Sequence, residues 1–240
     1  MGVIRSAIGD AVLTSMWVFS MPLLRIFTGI IATYLGVQAI PLADLFITIN
    51  LVTLMVLGFS LVGTLFGGAS FNPTSTVSFY AAGLRPDSSL LSMAVRFPAQ
   101  AAGGVAGAKT ISQVMPQKYK YALGGPSLKV DMHTGAIAEG MLTFVLCLAL
   151  LVAMLKGPKN PLLKVWLVAV VTVGLVINGA KYTGPSMNPA NAFGWAYVNN
   201  WYYTWELYYV YWICPLIAAV VAGWVYRLLF PKPVMKQKKA

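Results

Sequence analysis

Polar residues fall along this chain in a broken rhythm. Six stretches, near residues 5–32, 43–65, 90–111, 134–155, 162–180 and 204–229, run apolar for about the twenty positions a helix needs to cross a bilayer core of about 30 Å. Each predicts a membrane-spanning helix. Arg25 near the end of the first and Arg96 within the third blur the limits of those two, and Pro98 and Pro215 predict kinks in the third and sixth.

Two polar interruptions stand out. Gly-Gly-Ala-Ser-Phe-Asn72-Pro73-Thr74 and Thr-Gly-Pro-Ser-Met-Asn188-Pro189-Ala190 follow long apolar stretches and repeat one pattern, small residues before an Asn-Pro pair. Proline fits the first position of a helix, where its missing N–H is one that has no partner anyway, and asparagine is a favoured cap before it. Each box therefore predicts the start of a short helix, with unpaired N–H groups and the positive end of the helix dipole at Asn72 and Asn188. At membrane depth such an end is tolerable only against protein or water. Three spans, an odd number, precede the repeat of the pattern, so the second half enters the membrane upside down relative to the first. The expected architecture is an all-α membrane protein of six transmembrane helices plus two half-helices in an inverted repeat, with repeats of about 1–115 and 130–229 in a single domain over 1–240 and a basic tail at 230–240.

Two carboxylates support the repeat. Asp10 lies in the first span as Gly-Asp-Ala and Glu139 opens the fourth as Ala-Glu-Gly, each followed at i+4 by threonine, Thr14 and Thr143. An acid at that depth is expensive and is expected to turn inward and find donors. The two cysteines, Cys147 and Cys214, lie inside apolar runs without metal-ligand spacing and read as packing residues.

Composition narrows the class. Hydrophobic residues make up 58% and charged residues 10% of the 240, with a mean hydropathy of +0.74, which excludes a soluble domain. The net charge of +11 does not point to nucleic acid, because the cations sit at the ends and in the gaps of the apolar stretches. With one histidine and no nucleophile–base pairing, the chain is not expected to be an enzyme, and neither a metal nor an organic cofactor is expected. The first apolar stretch lacks a small-residue cleavage site after it and is read as a retained span. For six spans the 17 Lys and Arg divide 11 to 6 in favour of the face holding the termini, so both termini are expected in the cytosol. Seven aromatics, Trp201, Tyr202, Tyr203, Trp205, Tyr208, Tyr209 and Tyr211, read as an interfacial belt, and His133 beside Asp131 as a solvated loop histidine.

At the two Asn-Pro boxes, 116 positions apart on a six-span pattern with matched acids, the sequence resembles the aquaporin, or major intrinsic protein, family over essentially its whole length. The short N-terminus, the pI of about 9.7, Thr74 in place of the usual alanine and the lysine-rich tail resemble the plant small basic intrinsic proteins, first group. The resemblance implies a passive channel for water and small neutral solutes, one pore per chain, a homotetramer and a pore midplane of Asn72, Pro73, Thr74, Asn188, Pro189 and Ala190. Carried over by spacing, the four-residue selectivity constriction falls on Val52, Val176, Pro185 and Asn191. Most relatives have arginine at the position of Asn191, and water-selective ones have histidine at that of Val176, so strict water selectivity does not carry over. Backbone carbonyls around 67–70 and 183–186 are expected to serve as acceptors for the water file. Lys236 and Lys238, fifth and third from the end of the chain, look like a dilysine retrieval signal of endoplasmic-reticulum membrane proteins; the other reading of the tail is a polybasic segment that enforces orientation and touches anionic lipid. The competing reading keeps the fold but occludes the pore and leaves a structural or partner-organising role; a secondary transporter built on broken helices is a third.

Overall fold

A computed structural model describes residues 2–84 and 89–231. Its helices are α1 (Val3–Tyr34), α2 (Pro41–Leu65), α3 (Pro73–Ala81), α4 (Leu90–Val114), α5 (Met132–Leu155), α6 (Pro161–Gly179), α7 (Pro189–Val198), α8 (Trp205–Tyr208) and α9 (Cys214–Leu229), with a π-helical turn at Tyr209–Ile213 joining the last two. The six long segments match the apolar stretches of the sequence. They begin earlier than hydropathy suggests where a cap and a proline set the start, as at Asn160, whose side chain accepts from Leu162 and Leu163 N–H before Pro161.

Five of these segments are long and apolar enough to cross a membrane on composition alone, and Leu90–Val114 is the sixth long helix. Its lower hydropathy has a packing reason. Gly103 lies against the backbone of α1, where an added Cβ would meet Ala11 O at 2.1 Å. One residue on, Gly104 faces α7, and a Cβ there would meet Ala190 O at 2.3 Å, while one on Gly194 would meet Gly104 O at 2.4 Å. Small residues let these backbones touch, which is how helices associate where lipid offers no hydrophobic drive.

The inverted repeat is visible in the pairing of elements. α1 packs on α4 as α5 packs on α9, α1 on α2 as α5 on α6, and each half-helix rests on the third long helix of the opposite half, α7 on α4 and α3 on α9. Pro98 lies inside α4, and so does Pro22 inside α1. Pro215 follows the π turn. A proline ring clashes with the carbonyl four residues back, here that of Tyr211, and the wider π turn is placed where that clash would fall.

Arg96 departs from expectation. Counted from the sequence among the cations of the terminal face, it is instead 6% exposed and paired with Asp10 inside the bundle. The pair has a physical cause: an acid at membrane depth needs donors, and a neighbouring helix supplies a cation. The tally of cations on the terminal face thereby falls from 11 to 10.

Candidate functional site

The two Asn-Pro boxes meet start to start. Asn72 caps α3, its Oδ1 accepting from Thr74 N–H at 2.9 Å, and Asn188 caps α7, its Oδ1 accepting from Ala190 N–H at 3.1 Å. Each amide also reaches across. Asn72 Nδ2 donates to Met187 O at 3.0 Å, and Asn188 Nδ2 donates to Phe71 O at 2.9 Å. An amide NH2 has two hydrogens, so each asparagine spends one on the opposite loop and keeps one. The serines before the boxes match as well, Ser70 Oγ donating to Asn72 O and Ser186 Oγ to Asn188 O. Thr74, Pro73, Pro189 and Ala190 are buried behind the asparagines. The Thr74 hydroxyl sits 2.8 Å from Asn72 Oδ1 and 3.1 Å from Met187 O, tying the two half-helices together on the side where alanine would offer nothing.

The acids hold the loops that lead to these boxes, by different means. Asp10 accepts from Ser70 N–H at 2.7 Å, from Arg96 Nε at 2.6 Å and Nη2 at 2.8 Å, and from Gln100 Nε2 at 3.0 Å, the last nitrogen donating also to Ser70 O. Among the described residues no cation pairs with Glu139. Its Oε1 accepts from Ser186 N–H at 2.9 Å and, in a short bond, from Met187 N–H, and its Oε2 accepts from the Thr183 hydroxyl at 2.7 Å. Met187 has a φ of 49°, a left-handed backbone that side chains other than glycine and asparagine rarely adopt. Bonds at its N–H and at its carbonyl hold it there. The threonines at i+4 do not serve the carboxylates: Thr14 Oγ1 donates to Asp10 O, within its own helix.

One cavity of about 150 Å3 brings the remaining site candidates together. Asn72 and Asn188 line it, and so do Val52 from α2, Val176 from α6, and Pro185 and Asn191 on either side of the second box. Trp17 stacks on Phe71 in its wall, with centroids 4.4 Å apart and rings 15° from parallel, and Phe59 meets both edge-on. Asn191 Nδ2 donates to Ser186 Oγ at 3.0 Å, while Asn191 Oδ1 has no partner among the described protein atoms.

Two expectations need correction. Thr183 O, expected to face the water file, accepts from Ser127 N–H and from the Tyr211 hydroxyl, both at 2.9 Å, which fills both its lone pairs. Ser70 O likewise takes Gln100. Tyr211 is therefore no belt residue: it is fully buried and clamps the second loop, whereas Tyr203 and Trp205 are 68% and 61% exposed, as a belt requires. His133 is exposed, its Nδ1 3.3 Å from the Tyr209 hydroxyl. The neighbouring Asp131 caps α5. Hydrogen bonds from Thr134, then from His133, hold its carboxyl below the usual range.

Nothing in the residue pattern signals the left-handed Met187, the Trp17–Phe71–Phe59 cluster or the Thr183–Tyr211 bond. Arg96 and Gln100 did carry a signal, since the two face one side of α4 at i and i+4, as donors for a buried acid must.

Known proteins resemble this chain over nearly its whole length. Residues 3–226 match the model of the family described as Major intrinsic protein. Aquaporin SIP1-1 of Oryza sativa subsp. japonica is 53% identical over 237 residues, 98% of this chain and 96% of that one, and Aquaporin SIP1-1 of Arabidopsis thaliana is 46% identical over 239 residues, 100% and 98% of the two chains. Among solved structures, the aquaglyceroporin from Plasmodium falciparum superposes with a TM-score of 0.69 at 20% identity, covering 96% of this chain and 98% of that one, which shows a shared fold.

Proposed function

The chain belongs to the major intrinsic protein family, among the plant small basic intrinsic proteins, and on that premise we propose how this membrane channel for water and small solutes conducts. Water passes in single file along the cavity between the two boxes. A water stripped of its neighbours in an apolar passage loses hydrogen bonds worth several kcal/mol, and the passage must replace them. At the midplane the replacement comes from the one free N–H of Asn72 and the one free N–H of Asn188. A water accepting from both cannot also accept from its file neighbours, which interrupts proton hopping. The positive ends of α3 and α7 add a barrier to cations. The observation that carries this reading is that both asparagines and all four constriction candidates line one cavity.

Val52, Val176, Pro185 and Asn191 form the narrow part. It holds no guanidinium, and proline adds no N–H, so the polar atoms it presents are those of the Asn191 amide. Neutral solutes such as glycerol and hydrogen peroxide are passed alongside water. The protein works as a homotetramer with a pore in each chain, and both termini face the cytosol. The dilysine pattern of Lys236 and Lys238, which lies outside the described residues, retains the channel in the endoplasmic reticulum.

Stopped-flow light scattering on purified protein in liposomes, with water, glycerol and hydrogen peroxide in parallel, tests the reading. Permeability above that of protein-free liposomes for water and at least one solute is expected. No excess for any of them would mean an occluded pore and a structural role.

A further inference from the structure

A second cavity, of about 450 Å3, opens at the face of the bundle where α1 begins and α9 ends. Its walls come from three elements. The turn Ala82–Leu84 closes the first half-helix, Lys156 caps the end of α5, and Arg227 lies in the last turn of α9, followed by Phe230. We propose that this cavity binds the phosphate of an anionic phospholipid headgroup, with Lys156 and Arg227 as its cationic partners.

Charge complementarity carries the proposal. Of the chain's six acidic residues, Asp10 and Glu139 are buried in the networks that hold the two loops, and Asp44, Asp131 and Glu206 stand at the starts of α2, α5 and α8, at the opposite face. Asp87 lies outside the described residues. Among the described residues, then, the terminal face has Arg5, Lys156, Lys159, Lys164 and Arg227 and no carboxylate. Two of these cations converge on a concave site. The Lys156 ammonium stands 5.3 Å from the centroid of the Phe230 ring, and that ring packs on Tyr226 at 5.0 Å, so an aromatic floor positions the charge. Both cations sit at helix ends, the depth at which lipid phosphates lie, and basic pockets between spanning helices are suited to such headgroups. A lipid is favoured over free phosphate because apolar wall atoms of Leu84 and Tyr226 adjoin the cations and offer a surface for the glycerol and upper acyl chain. The turn that walls this cavity ends the half-helix whose other end is Asn72, nine residues and about 13 Å away, so occupancy braces one of the two elements that meet at the midplane. The binding itself does not depend on how the channel conducts.

The full-length protein in neutral detergent tests it, by calorimetric titration with dioctanoyl phosphatidylinositol 4-phosphate, dioctanoyl phosphatidylserine, dioctanoyl phosphatidylcholine and inorganic phosphate. Both anionic lipids are expected to bind and phosphatidylcholine not to. The double variant Lys156→Gln/Arg227→Gln is expected to bind about thirtyfold more weakly, and Lys156→Gln alone about fivefold. A tail variant, Lys236→Gln/Lys238→Gln/Lys239→Gln, is expected to bind as the wild type does. Both cavity side chains are exposed, so the variants should elute as the wild type does in size exclusion, and the single variant decides if the double one does not. Unchanged binding by the cavity variants, or loss with the tail variant instead, overturns the site. Inorganic phosphate binding as tightly as the phospholipids overturns the assignment to lipid.

Discussion

Glu139 offers the sharpest test of how the second loop is built. The residue is fully buried, and its two oxygens accept from the N–H groups of Ser186 and Met187 and from the Thr183 hydroxyl. Replacing it with alanine leaves two backbone donors, the buried Met187 N–H and the partly buried Ser186 N–H, without their acceptor, whereas the threonine hydroxyl can rotate to another. At about 1–3 kcal/mol for each unsatisfied donor, the loss is roughly 2–6 kcal/mol. Some of it returns, because Met187 can then relax from a left-handed backbone that costs about 1–3 kcal/mol. The remainder is still a large share of a total stability of about 5–15 kcal/mol. Glu139→Gln keeps one acceptor oxygen for the two backbone donors and turns its NH2 toward Thr183, so its effect should be about 1–2 kcal/mol. Fluorescence-detected size exclusion and thermal unfolding in detergent should rank wild type, glutamine, alanine, with the alanine variant melting roughly 10 °C lower at about 2–4 °C per kcal/mol. An alanine variant that melts with the wild type but changes its solute preference would refute the reasoning and give the acid a role in transport.

Four further outcomes follow from the same geometry. Arg96→Leu leaves the Asp10 carboxylate buried without its cation and should cost about 3–5 kcal/mol, while Asp10→Asn/Arg96→Leu should regain most of that, as read by melting temperature. Asn188→Asp sets a carboxylate between two positive helix ends and against Phe71 O, so the variant should pass measurable sodium or proton current in liposomes; a current no larger than the wild type's would show the electrostatic account of the midplane to be wrong. Asn191→Arg returns a guanidinium to the narrow part and should lower glycerol and peroxide permeability by a larger factor than water permeability, an unchanged ratio meaning that residue 191 does not line the narrowest point. Gly104→Ala places a Cβ 2.3 Å from Ala190 O and should reduce the folded fraction in size exclusion, with no effect expected from Gly58→Ala, where a Cβ meets nothing within 4 Å.

Most of the fold was legible because the membrane imposes it. Twenty apolar positions per span, proline at a helix start and asparagine before it are local rules, and they place the helices to within a few residues. What escaped is relational. Arg96 reads as a boundary cation until Asp10 is known to lie beside it, 86 residues earlier in the chain. Tyr211 reads as one belt aromatic among seven, and only its bond to Thr183 O separates it from Tyr203 and Trp205. The carbonyls of the extended segments look free in sequence, because nothing local shows that Gln100, Ser127 and Tyr211 reach them from other elements. The hydropathy of α4 is low for the same kind of reason: its glycines serve α1 and α7, which pattern alone does not reveal.

The two acids also set a timetable for synthesis. Asp10 enters the membrane with the first helix, yet Ser70, Arg96 and Gln100 follow 60, 86 and 90 residues later. At about 5–20 residues per second, its cation emerges from the ribosome about 4–17 s behind it. Glu139 waits for partners only 44–48 residues on, roughly half as long. For that longer interval the nascent first helix carries an unanswered acid at bilayer depth, so it must be shielded by the insertion machinery or lie at the water boundary until α4 arrives. A substitution at Arg96 thus strikes twice, once in the finished channel and once in the seconds when a half-made chain is most exposed to degradation.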